Sequence, residues 1–68
     1  MTKTLNSTRI NGMYIYIEHD MHSGLYIVEA CPIQSETMCG YPYSSNRYGT
    51  IQAAKRQYNA LIRRYKEA

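Results

Sequence analysis

The 68-residue chain has no tryptophan and no phenylalanine, so its aromatic packing falls to eight tyrosines and two histidines. A tyrosine ring packs on one side while its hydroxyl stays in water. An all-tyrosine set therefore excludes a deep aromatic core. It suits a thin domain, or a binding surface, where tyrosine is enriched. No apolar run approaches the roughly 18 residues that a membrane span needs. The polar stretch from Met1 to Asn11 also lacks the apolar segment of a secretory signal. A cytoplasmic location is the expectation that follows. Cysteine is scarce as well: Cys31 and Cys39 are too few for a disulfide framework, and free thiols are expected. The four glycines, Gly12, Gly24, Gly40 and Gly49, are scattered, which excludes a glycine-rich phosphate loop.

No nucleophile and base can be paired in a domain too small to enclose a water-free pocket. We expect no catalytic residues, no enzymatic activity and no small-molecule substrate. Glu18, His19, Asp20 and His22 gather metal-binding groups near one turn, and Cys31 and Cys39 complete a two-His, two-Cys inventory. Structural zinc uses short cysteine pairs, and seven residues separate these two. No metal and no cofactor are expected.

Several strong patterns are present. Met13 to His19 alternates β-branched and aromatic residues with strand period: Met13, Ile15 and Ile17 on one face, Tyr14, Tyr16 and Glu18 on the other. Asp20 to Gly24 reads as a hairpin loop, and Leu25 to Cys31 as the second strand, ended by Pro32. A five-residue loop pairs His19 with Leu25, Ile17 with Ile27 and Tyr16 with Val28. A four-residue loop swaps the faces. Five keeps the aliphatic rows together and is the expected register.

Residues 34–37 read as a polar turn. Met38 to Tyr43 offers a third strand, which Pro42 confines to a sheet edge. Ser44 to Gly49 reads as a loop, and Thr50 as a helix N-cap. From Ile51 to about Ala68 the period becomes helical. Ile51, Ala54, Tyr58, Leu61, Ile62 and Tyr65 form a stripe about 100° wide, as a core-facing helix requires. The fold class is thus α+β: a small antiparallel meander of two or three strands, then one amphipathic C-terminal helix on one sheet face, ββ(β)α. Residues 1–11 are expected as a flexible lead-in and residues 12–68 as a single domain.

Charge is unevenly placed. Residues 1–49 carry Lys3, Arg9 and Arg47 against Glu18, Asp20, Glu29 and Glu36, a net −1. Residues 50–68 carry Lys55, Arg56, Arg63, Arg64 and Lys66 against Glu67, a net +4. Lys55, Lys66, Arg63 and Arg56 share one helix flank with Gln52 and Asn59, and Arg64 stands apart. Cations interleaved with amides suit a nucleic-acid backbone, although every surface helix also needs a solvated face. Three strands followed by a helix resembles, in element order, the arm-site DNA-binding domains of phage and transposon integrases, which lay the sheet in a DNA groove. Here the strands carry Glu18 and Glu29 and hardly any Lys or Arg, so any nucleic-acid contact is expected on the helix.

In the expected register Tyr14, Tyr16 and Tyr26 share the outer sheet face beside Val28 and Ala30. An aromatic face without cations fits a protein partner or self-association. Two binding functions follow. The first is a non-enzymatic protein-binding module acting through Tyr14, Tyr16 and Tyr26, of the kind found among phage and mobile-element accessory proteins and inhibitors. The second is nucleic-acid binding through Gln52, Lys55, Arg56, Asn59, Arg63 and Lys66.

Overall fold

The computed structural model describes residues 1–35 and 38–67. Glu36 and Thr37 of the expected polar turn and Ala68 at the expected helix end lie outside the described residues. Four antiparallel strands form one open sheet in the order β1-β2-β3-β4, and a single helix packs on one face. The strands are β1 (Thr2–Ile10), β2 (Met13–Asp20), β3 (Tyr26–Pro32) and β4 (Ser44–Tyr48), and the helix is α1 (Ile51–Lys66).

Thr2–Ile10 form a strand, where residues 1–11 were expected as a flexible lead-in. β1 is polar, but Thr2, Thr4 and Thr8 are β-branched and accept extended geometry readily. The chain turns back at Asn11 (φ 48°) and Gly12 (φ 77°), between the paired Ile10 and Met13. A two-residue hairpin needs positive φ at both positions, and Asn-Gly supplies it at the least steric cost. Asn11 also ties down the far element: its Nδ2 donates to the carbonyls of Tyr65 (2.6 Å) and Lys66 (3.4 Å) at the end of α1. A bulge at Leu5 interrupts the β1–β2 register between Thr4 and Asn6.

The second hairpin corrects the expected register by one residue. Asp20 belongs to the strand, and its N–H donates to the Leu25 carbonyl (2.9 Å), leaving the four-residue loop Met21 to Gly24. The Asp20 carboxylate accepts from the His22 N–H (3.0 Å) and the Ser23 hydroxyl (2.9 Å), and Gly24 takes φ 77°. His19 therefore faces Tyr26, Ile17 faces Val28 and Tyr16 faces Glu29. Val28 and Ala30 turn inward and are fully buried, whereas Ile27, Glu29 and Cys31 lie on the outer face. The expected register would have pointed Glu29 into the core, where an unpaired carboxylate is costly.

The third expected strand, Met38 to Tyr43, reduces to one isolated bridge between Ile33 and Cys39. Pro42 has no N–H to give a ladder. Pairing resumes where Tyr43 N–H donates to the Ala30 carbonyl (2.8 Å), and Ser44–Tyr48, expected as a loop, is the fourth strand.

α1 begins as expected: the Thr50 hydroxyl accepts from Ala53 N–H (3.3 Å). Its last turn carries Arg63, Arg64 and Lys66, which complement the helix dipole. Ala54, Tyr58 and Leu61 are buried against Met13, Ile15, Ile17, Val28 and Ala30, with Ile10, Tyr26, Tyr48, Ile62 and Tyr65 packed around them. Among the described residues no helix is long and apolar enough to cross a membrane.

Candidate functional site

Two surfaces come from the two faces of the sheet. The outer face carries Tyr14 and Tyr16, whose ring centroids lie 5.2 Å apart, and Arg9 sits 5.9 Å from the Tyr14 ring centre. Tyr26 is absent from this face. The one-residue register change turns it to the helix side, where it stacks on His19 at 4.4 Å and 9° and pairs with Tyr48. The Tyr16 hydroxyl donates to Glu29, and the Ser45 hydroxyl donates to the other oxygen of that carboxylate (2.6 Å). Burial, and then Glu29, push the Tyr16 phenol well above its ordinary range. Burial, followed by the Glu29 charge, likewise raises the Cys31 thiol. A buried thiol held protonated is a poor nucleophile. Cys39 is exposed, and neither cysteine is bridged.

The described acids of the sheet are thus tied into internal hydrogen bonds. Glu29 holds Tyr16 and Ser45, Asp20 holds its turn, and Glu18 accepts a long bond from Thr2 (3.5 Å). The cations differ. Among the described residues, Lys3, Lys55, Arg56, Arg63 and Lys66 make no hydrogen bond or ion pair through their side chains, and all are exposed. Gln52 and Asn59 are exposed on the same helix flank.

Chirality decides which strand that flank overlooks. In an L-chain seen from the side its side chain faces, with the strand running upward, a residue's N–H and C=O point right. Asp20 bonds Leu25, so alternate β2 residues bond β3, while inward-facing Ile15 and Ile17 direct their backbone groups to β1. Seen from the helix side with β2 running up, β1 lies on the right and β4 on the left. α1 starts three residues after Tyr48 at the upper left and descends to Asn11 at the lower right. A right-handed helix turns clockwise as it recedes from its N-terminus, by about 100° per residue. Starting from buried Tyr58, this puts Gln52, Lys55, Asn59 and Lys66 on the β1 side.

Burial along β1 agrees. Thr8 and Ile10 are half-buried below the helix, but Lys3 and Asn6, which share their face, are exposed. The helix therefore crosses the sheet diagonally and leaves the upper β1 corner open. The floor of that corner is Lys3, Asn6 and His19, and its wall is Gln52, Lys55 and Asn59. Among the described residues no acidic side chain faces it, because Glu18 and Asp20 point to the other side of the sheet.

The six helix residues expected to bind nucleic acid are thus together on one exposed flank. Sequence reasoning missed Lys3, Asn6 and His19, whose place depends on the β1–β2 pairing. The Asn11-Gly12 pair was the signal for it. Of the expected tyrosine cluster, Tyr14 and Tyr16 are adjacent and Tyr26 is not. Two further tyrosines, Tyr41 (94% exposed) and Tyr43 (70% exposed), project from the segment between β3 and β4. Among the described residues no three His, Cys, Asp or Glu side chains converge to hold a metal. Comparison with protein-family models, with curated proteins and with solved structures finds no match to this chain.

Proposed function

We propose that this protein is a non-enzymatic, cytoplasmic nucleic-acid-binding module that lays a polynucleotide backbone along the basic flank of α1. The carrying observation is the contrast in how its charges are used. The sheet's carboxylates are occupied internally, while Lys55, Arg56, Arg63 and Lys66 hold no partner among the described residues and stand with Gln52 and Asn59 on one side of the helix. Cations so placed neutralise phosphates and release their condensed counterions, and the amides donate to phosphate or base edges. The tyrosine face is weakened as the lead because Tyr26 has left it and the Tyr16 hydroxyl is committed to Glu29.

Fluorescence anisotropy of labelled oligonucleotides tests the reading. Affinity should fall between about 50 mM and about 200 mM salt, with a slope of about 0.7 to 0.9 per phosphate contact. The double variant Lys55→Glu/Arg63→Glu should lose binding at least tenfold with its thermal midpoint nearly unchanged. Equal affinity in wild type and variant, or no salt dependence, would overturn it. A protein contact remains as the second reading, favoured by the exposure of Tyr41 and Tyr43. Tyrosine anchors of this kind dominate many interfaces.

A further inference from the structure

We propose that the preferred ligand is single-stranded, with one base seated on the His19–Tyr26 stack at the open β1 corner while Lys3 and Lys55 hold the flanking phosphates. The inference rests on the nucleic-acid reading and narrows it to one ligand class. His19 and Tyr26 occupy adjacent strands and stack face to face, so the stack axis runs across the strands. One end of the stack points toward β4, where the register partner of Tyr26 is Tyr48. The other end, the second face of His19, is turned toward β1, where its register partner is Lys3. Lys3 is exposed and has no internal partner among the described residues, so it can move aside and keep its ammonium beside the opening.

A prebuilt pair of stacked rings with one open end, next to cations and amides and with the described sheet carboxylates on the opposite face, is what an unpaired base requires. Every base has a π-face, and stacking on aromatic side chains is the usual basis of single-strand recognition. Duplex bases are stacked on one another and cannot enter. The wall residues Gln52, Lys55 and Asn59 lie on the side of α1 that faces this corner, so a strand leaving the stack runs on along the basic flank.

The test compares a labelled single-stranded 20-mer (about five times a minimal site) with the same sequence as duplex, for wild type, His19→Ala and His19→Phe. Wild type should favour the single strand. His19→Ala should weaken single-strand binding about tenfold and leave duplex binding unchanged, and His19→Phe should restore it because it keeps the ring. Lys3→Ala, at an exposed strand position, should lower the single-strand salt slope by about 0.7. That measurement decides the matter even where His19→Ala fails to fold. Equal single-strand and duplex affinity with a silent Lys3→Ala would overturn the inference and leave the nucleic-acid function standing. Binding to neither ligand would overturn both.

Discussion

Ile27 and Val28 are consecutive, β-branched and similar in size, yet they meet opposite fates. Val28 is fully buried under α1, and Ile27 is half-exposed on the outer face between Glu18 and Arg47. Intrinsic hydrophobicity does not separate them. What separates them is the hairpin at Asp20, which fixes the parity of β3, and the neighbouring Glu29, which can be satisfied only on the outer side. The comparison extends to the two faces as wholes. The inner face is held by burial of Ile15, Ile17, Val28 and Leu61. The outer face is held by hydrogen bonds radiating from Glu29.

The largest expected effect tests this parity directly. Val28→Asp would bury an unpaired carboxylate and should cost about 4 kcal/mol or more. That is a large share of the roughly 5 to 15 kcal/mol by which domains are stable, whose lower end applies to a small one. Ile27→Asp should cost about 1 kcal/mol or less, because its side chain already meets solvent. Chemical denaturation monitored by circular dichroism separates the two. The reverse ranking would restore the register in which Ile17 faces Ile27.

The outer face breaks more gently. Glu29→Ala removes the acceptor for both Tyr16 and Ser45 and should cost about 1 to 3 kcal/mol. It should also bring the Tyr16 phenol down toward its ordinary pKa, since burial, with lesser help from Cys31 and Glu18, would then hold it up. A spectrophotometric tyrosinate titration reads this as a wave moved to lower pH. A wave that stays in place would mean that Glu29 contributes nothing to the outer face.

The parts of this molecule legible in its sequence are those with long periodic signals. α1 declares itself through the stripe from Ile51 to Tyr65 and the Thr50 cap, and β2 through the alternation from Met13 to Ile17. β4 has the sequence Ser-Ser-Asn-Arg-Tyr, with no apolar row to mark it; it is a strand because β3 offers it a ladder. β1 is as polar, but Asn11-Gly12 next to it is a strong hairpin signal that the polarity of Thr2 to Arg9 outweighed. The register was missed because Asp20, a turn former by type, works from inside the strand. The basic flank of α1 could be read from helical spacing alone. The corner floored by Lys3, Asn6 and His19 could not, since it depends on the β1 pairing, the corrected register and the hand of the fold taken together.

Asp20 itself gives the smallest effect and the finest test of what sets the register. Its carboxylate is held below its ordinary pKa, first by the Ser23 hydroxyl and then by the His22 N–H. A depressed folded pKa stabilises the fold above the unfolded value, near 3.8, and that contribution fades as pH falls through the folded pKa. Asp20→Asn keeps the shape of the turn but has no charge to lose. Thermal midpoints of the two proteins, followed from about pH 6 to about pH 2, should differ by a small gap that closes below about pH 4. The side chain is exposed, so solvent screening keeps the gap modest. A gap that persists unchanged into acid would mean that the turn is held by shape alone. The parity of β3 would then be owed to the need to keep Glu29 out of the core, and not to the charge at the hairpin.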